Sequence, residues 1–463
     1  MNAAAESRPG LAAFSRLRAE DEPWLARCFV PPADFERMAG PGSAVIFGEA
    51  GAGKTSVQRM LRSRCVDDRG RPLRLIVDWR LTPSADDSVP GSEWVQRQLN
   101  QILDICAWTL AGHVARAAPD LDAIPAWAWG RVIWFIQRCL QGDRAIRLGP
   151  LIDESPPAGA ARLREIVSAT LDDILYPTAG PDQVIAELMR ALRRMGLDGI
   201  WIMTDGLEAW AEAAPDRVAA ALSAFLSTLA LFEQSGLAYK LCLPAYLRPA
   251  LLRAVSVQRR RVEGYELRWS PEELRALAER RLTLIDSHNL TSLADLCSAP
   301  GLTAWLERVG GGLPREWLDQ LQPLVEHYLS SDPPQALDEA TWKRVRANHP
   351  PRFRLDEAER QVRVGGRLVS LDAIPAKAYD ILRYLYQHSD QVVGKADLYY
   401  RAYRGLPAVP HSPQDKGYEP PKHYDGLIDT NIYRLRQALE PDPDNPVLLV
   451  TVRGHGIRLV SRW

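Results

Sequence analysis

The stretch Ser43 to Met60, SAVIFGEAGAGKTSVQRM, constrains this chain more than any other. Ala44, Val45, Ile46 and Phe47 form a short apolar run, the length of a buried strand. Gly48 to Thr55 then fills the pattern G-x-x-x-x-G-K-[ST], and Val57, Met60 and Leu61 follow at helical spacing. Strand, glycine loop and helix, in that order, are the context in which this pattern binds phosphate. The glycines at 48, 51 and 53 let successive backbone N–H groups turn inward. A helix starting at about Lys54 adds the partial positive charge of its N-terminus. Lys54 is placed to reach the β- and γ-phosphates of a nucleotide, the Thr55 hydroxyl to ligate Mg²⁺, and Ser56 shares the same helix start.

Such a site needs an acid at the end of a neighbouring buried strand. Gly199 to Glu208, GIWIMTDGLE, supplies one: an apolar run carries Asp205 to its C-terminal edge, where it faces the metal held by Thr55. Glu208 either polarises an attacking water or caps the next turn. Leu73–Trp79, Leu237–Leu243 and Val262–Trp269 read as three further strands, with helices between them. That alternation over 43–270 predicts an α/β core, a parallel sheet covered on both faces. Arg248 lies just beyond the strand ended by Pro244, as a phosphate sensor or a solvated arginine. Residues of about 80–180 have no strand signal. They read as a helical insertion of three helices, Ser92 to about Ala117, about Trp127 to Gln141 and about Ala160 to Leu175, structural or partner-binding in role. Trp127, Trp129 and Trp134 in this block read as core.

Residues 1–42 read as a helical lead-in, with Asp34 capping a short helix and Phe29 and Val30 placed either against an adenine or in ordinary core. Residues 271–330 read as a helical lid. Ser270-Pro271-Glu272-Glu273 is a helix start with Ser as N-cap and Glu at N3. Gly310-Gly311-Gly312-Leu313-Pro314-Arg315 opens another helix, where Arg315 either faces a phosphate or belongs to a plain cap. Residues 331–351, with four prolines and several charges, read as a linker.

The order of glycine loop (Gly48–Thr55), Asp205-Gly206-Leu207-Glu208, Ser270 to Leu274 and Gly311-Gly312-Leu313-Pro314-Arg315 resembles that of the STAND and AAA+-like signalling ATPases, over about 25–330. The small Gly206 after the metal acid, with an acid beyond it, is similar to the NACHT branch. Ala209 stands where that branch has a second acid, and no arginine clearly ends the sensor strand. The resemblance implies binding of ATP or ADP with Mg²⁺, contact of Pro314 and Arg315 with the nucleotide, nucleotide-dependent homo-oligomers and slow hydrolysis used as a switch.

Beyond the linker the period changes. Phe353–Leu355, Gln361–Val364 and Arg367–Val369 alternate as strands, with Gly365-Gly366 as a hairpin turn. Ala376–His388, Lys395–Tyr403 and Leu427–Glu440 read as amphipathic helices, and Val447–Val452 and Ile457–Val460 as a closing hairpin. Strands, three helices and a hairpin make a winged helix. Leu427 to Glu440 followed by Thr451 to Leu459 closely resembles the effector domain of OmpR/PhoB-type response regulators, over about 352–461. With Ile428, Ile432, Leu435 and Leu439 inward, the third helix shows Thr430, Asn431, Tyr433, Arg434 and Gln437 to a major groove. The resemblance makes Arg434 a base reader and Arg436 a phosphate contact, with Thr451 and Arg453 at the wing. The Pro-rich stretch Arg404–Gly426 is longer than that family's loop. Residues 352–463 carry 17 Lys+Arg against 14 Asp+Glu, a net +3, so this region is the mildly basic part of a chain of net charge −1.

The six cysteines are scattered without a C-x-x-C pair, which argues against a disulfide framework and a zinc site and fits a cytoplasmic location. No basic and apolar leader opens the sequence, and no apolar run is long enough for a membrane span. The joined reading is an ATP-dependent regulator that presents a winged helix to double-stranded DNA in transcription. The alternative is an ATP-dependent assembly or antiviral-defence factor that docks through the same domain on DNA or on a protein.

Overall fold

The computed structural model describes residues 10–15, 19–81, 92–170, 181–208, 213–228, 235–251, 262–285, 290–410 and 412–461. The chain divides into two units, Pro31–Leu267 and Met1–Val30 together with Arg268–Trp463. The expected lead-in is thus split between them. The expected lid, linker and C-terminal domain belong to one unit, along with Phe29 and Val30.

In the first unit five strands form one parallel sheet: β1 (Ser43–Gly48), β2 (Arg74–Asp78), β3 (Gly199–Thr204), β4 (Leu237–Pro244) and β5 (Val262–Glu266). Their spatial order is β2-β3-β4-β1-β5. Strand β4 therefore lies between β1 and β3, pairing Leu241 with Val45 on one side and with Thr204 on the other. All of β3 and β4 is buried, as near-continuous apolar strands in a parallel sheet must be. Helix α1 (Lys54–Ser63) leaves β1 through the glycine loop, burying Val57 and Leu61.

The insertion is helical, as expected, but differently divided. Helices α2 (Ser92–Ala117), α3 (Ala126–Cys139), α4 (Arg144–Glu154) and α5 (Pro157–Ser168) fill it. Asp143 caps the unforeseen α4 by accepting from the Ile146 amide, and residues 171–175 of the expected third helix lie outside the described residues. Trp129 and Trp134 are buried, but Trp127 is exposed, with the Arg131 and Arg194 guanidiniums over its ring. Helices α6 (Pro181–Arg194) and α7 (Pro215–Ser227) flank β3 in sequence.

In the second unit, helices α8 (Pro271–Leu282), α9 (Leu302–Gly310) and α10 (Pro314–Ser330) occupy the stretch read as a helical lid, and Ser270 makes the full capping box with Glu273. Residues 331–351 are not a bare linker. They carry helix α11 (Glu339–Asn348), N-capped by Asp338, with Trp342, Val345 and Arg346 buried. The prolines sit outside that helix, and two aromatic faces supply the burial that its charged composition conceals. Strands β6 (Phe353–Asp356), β7 (Gln361–Val364) and β8 (Arg367–Ser370) form an antiparallel sheet. Then come α12 (Ala376–Gln387), a short α turn at Lys395–Asp397 that widens into a π-helical turn at Leu398–Tyr403, and α13 (Asp425–Leu439). The closing hairpin β10 (Leu449–Val452) and β11 (Gly456–Leu459) pairs with β9 (Val392–Val393). One apolar core runs from Ala13 through Trp305 and Leu321 to Leu435 and Leu459. Among the described residues, no helix is long and apolar enough to cross a membrane.

Candidate functional site

The glycine loop has the backbone its sequence demands. Gly51 and Gly53 have φ of 86° and 89°, a region costly for residues with a Cβ. Gly48 is buried at the end of β1, where a Cβ would crowd Ala52 and Lys54. Lys54 is only 5 % exposed. Its ammonium donates to the carbonyls of Gly48 and Glu49 at 2.9 and 3.0 Å, and the Glu208 carboxylate lies 3.0 Å away. Thr55 Oγ1 donates to Asp205 Oδ2 at 2.6 Å, and the Gly206 amide donates to Asp205 Oδ1 at 2.9 Å. Burial pushes the Asp205 carboxyl above its usual range, opposed by those two hydrogen bonds and by Lys54. Residues of two distant segments, Gly48–Ser56 and Asp205–Glu208, are thus brought together across β4.

Beneath them lies Cys242 of β4, whose thiol sits 3.8 Å from the Lys54 carbonyl; burial pushes it well up, so it stays a neutral filler. Ser56 is partly buried on the first turn of α1. Among the described residues, no group of three or more His, Cys, Asp or Glu forms a metal site. The set that fits Mg²⁺ is the hydroxyl of Thr55 and the carboxylate of Asp205, both hard oxygen ligands. Arg248 pairs with Glu266 at 3.5 Å.

Pro314 and Arg315 belong to the other unit, where they open α10; Pro314 is buried and Arg315 exposed. The glycines before them make contact with a hairpin rather than open space. The Gly366 amide donates to the Val309 carbonyl at 2.9 Å, and a Cβ on Gly311 would collide with Gly366.

On α13, Thr430, Tyr433, Arg434 and Gln437 are exposed, Tyr433 at 62 %. The hydroxyl of Thr430 donates to Gly426 O. Asn431 corrects the expected reading face. It is 6 % exposed, and its amide donates to the Leu427 carbonyl at 2.8 Å, so it faces inward with Ile428 and Ile432. Arg436 also turns back: its guanidinium donates to Leu449 O at 2.6 Å and to Thr451 Oγ1 at 2.8 Å, tying the helix to the hairpin. Arg453 is exposed at the hairpin tip. The long Arg404–Gly426 stretch is strapped to the preceding helix: Glu419 accepts from Tyr399 Oη at 2.7 Å and from Arg404 at 3.0 Å.

Three anchors escaped the sequence reading. Lys240 of β4 is fully buried, donates to the carbonyls of Met38, Gly40 and Gly42 at 2.7, 2.8 and 2.7 Å, and stands over Trp201 at 4.5 Å. A lysine inside an apolar strand was the available signal. Glu440 is buried and accepts from the amides of Val447, Leu448 and Leu449, which fixes the turn from α13 into the hairpin. Arg367 donates to Leu439 O at 2.6 Å at the C-terminal end of α13.

No family model matches the chain. Among curated proteins it is similar to the sensory transduction protein RegX3 of Mycobacterium leprae, 34 % identical over 109 residues, 24 % of this chain and 46 % of that protein. RegX3 of Mycobacterium tuberculosis is 34 % identical over 106 residues, 23 % of this chain and 39 % of that protein. The chain thus spans less than half the length of the curated relatives it matches. Among solved structures, the Aeropyrum pernix ORC2 protein in ADPNP and ADP complexes aligns over 96 % of this chain and 93 % of that one. The identity is 13 % and the TM-score 0.37.

Proposed function

We propose that this chain is a nucleotide-controlled DNA-binding regulator. ATP or ADP with Mg²⁺ binds at Gly48–Ser56, and a winged helix of the OmpR/PhoB type binds double-stranded DNA through α13 and the β10–β11 hairpin. The observation that carries the reading is the convergence of Lys54, Thr55, Asp205 and Glu208 at one edge of a parallel sheet. That edge is where such sheets bind ligands. The glycine amides and Lys54 hold the phosphates, and Thr55 and Asp205 hold the metal, which supplies charge neutralisation at the phosphate oxygens. Glu208, already beside Lys54, is the residue to polarise a water for slow hydrolysis. The exposed Tyr433 and Arg434 and a similarity to RegX3, about as long as Phe353–Ser461, support the DNA half.

Nucleotide state then sets how many winged helices act together. Two linked modules at a double site gain about 10²–10⁴-fold in avidity with no change in either module. The exposed Trp127 between Arg131 and Arg194 favours a protein partner for the insertion, since aromatic and arginine side chains dominate interface energetics. The test is DNA affinity and mass in solution with ATP, with ADP and in the Lys54→Ala variant. Identical values in all three sink the proposal.

A further inference from the structure

We infer that the hairpin turn Gly365–Arg367 is a joint that locks the DNA-facing helix α13 to the lid helices α9 and α10, so that the three turn as one body. The inference deepens the nucleotide-controlled reading above and rests on it only for its consequence in DNA binding.

The joint begins where two backbones touch. Helix α9 ends at Gly310, and Gly311, with φ of 54°, turns the chain toward Pro314 and α10. Gly366 lies directly on this turn. Its amide donates to Val309 O at 2.9 Å, and a Cβ placed on it would collide with the Gly310 carbonyl. A Cβ on Gly311 would in turn collide with Gly366. Backbones approach this closely only when both sides are glycine. The lid glycines therefore have a structural partner inside their own unit.

The next residue carries the connection onward. Arg367 donates to the carbonyls of Leu439 at 2.6 Å and Ala438 at 3.5 Å, the last residues of α13. A guanidinium there satisfies carbonyls that the helix itself leaves open and complements the helix dipole. A second tie meets the same end of α13. Arg346 of α11 lies between Trp305 of α9 and Trp342, 4.7 and 4.4 Å from the ring centres, and donates to Asp442 at 2.7 Å. Arg352, just before β6, donates to Asp319 of α10 at 2.8 Å. Lid helices, sheet and α13 share one apolar core, so a relative rotation exposes that core and breaks each of these bonds. Arg367 is accordingly a positioning residue: it touches no base and holds the helix that does.

The joint is testable by pulsed electron spin resonance on the full chain. The six native cysteines are buried, so spin labels go to Glu307→Cys on α9 and Gln437→Cys on α13, both exposed. The expected result is one narrow distance, the same without nucleotide, with ADP and Mg²⁺, and with ATP and Mg²⁺. A distance that broadens or shifts between these conditions overturns the joint. The Gly366→Ala variant separates coupling from folding, because the residue's φ is not in the glycine-only region and the atoms nearest the added methyl are the Gly310 carbonyl of the lid turn and the Leu313 side chain. It should broaden the distance and leave ATP affinity unchanged. The ratio of DNA affinities with ATP and ADP should fall from roughly tenfold or more to within about twofold of one. A variant that keeps both the narrow distance and the full ratio overturns the joint. A wild type with the narrow distance but no nucleotide effect on DNA supports the joint and removes the nucleotide-control reading instead.

Discussion

The hydroxyl of Thr55 donates a 2.6 Å hydrogen bond to Oδ2 of Asp205 across 150 residues of sequence. Between them in the sheet stands β4, so the two side chains meet only because the loop after β1 and the end of β3 reach the same edge. Thr55→Val keeps the shape and removes the donor and metal ligand. A charge-assisted hydrogen bond and a ligand of this kind are each worth about 1.5–3 kcal/mol, so Mg²⁺-dependent ATP affinity should fall roughly 10- to 100-fold. Titration calorimetry with and without Mg²⁺ checks it, and Asp205→Asn should behave alike. ATP binding that ignores both substitutions removes the pair from the site.

Lys240 gives the first unit a pH dependence. Burial pulls its ammonium from the ordinary 10.5 to about 7; Arg74 acts in the same sense, while the Cys65 thiol and Glu263 oppose it. A base with a depressed folded pKa binds fewer protons folded than unfolded across that window. The contribution of Lys240 to stability should therefore rise as pH goes from about 7 toward about 10. Lys240→Met removes that slope. It also leaves the carbonyls of Met38, Gly40 and Gly42 without this donor, at a cost of roughly 2–4 kcal/mol. Urea unfolding of both proteins at several pH values reads the difference, and parallel pH profiles contradict it.

The sheet, its strand sequence and the glycine loop were legible because their signals are local: apolar runs of strand length and a motif that requires positive-φ glycines. Asp205 was legible for the same reason, as an acid ending such a run. The order β2-β3-β4-β1-β5 was not, since strand adjacency depends on crossovers that leave no local mark. The 331–351 segment misled because prolines and charges resemble a linker. The burial of Arg346 depends on Trp305, which lies some forty residues earlier. On α13 the inward face of Ile428, Ile432, Leu435 and Leu439 was legible from its helical spacing. Asn431 was misplaced because a short amide can satisfy itself on the Leu427 carbonyl and face inward, an option polarity alone does not reveal.

The Arg346 guanidinium between Trp305 and Trp342 holds α11 against α9 and reaches Asp442 beyond α13. Replacing it by methionine fills the slot but removes two cation–π contacts and leaves Asp442 without this cation. The expected loss is roughly 2–4 kcal/mol in the second unit. Tryptophan fluorescence during urea unfolding reports it, and a midpoint within error of wild type shows the stack to be ornamental.

Arg434 and Asn431 should separate on α13. Arg434 is exposed beside Tyr433, whereas Asn431 is buried on its own helix. A side chain that reads a base edge is worth about 1–3 kcal/mol, so Arg434→Ala should weaken specific DNA binding about 5- to 150-fold and leave the unfolding midpoint in place. Asn431→Ala should do the reverse, lowering stability by about 1 kcal/mol with little effect on the affinity of the folded protein. Arg436→Ala falls between them: it frees the Leu449 carbonyl and Thr451 and so loosens the hairpin against the helix. Fluorescence anisotropy across a salt series, run beside urea melts, distinguishes the three. If Asn431→Ala loses as much DNA affinity as Arg434→Ala at unchanged stability, the helix reads DNA through a face other than the one it exposes.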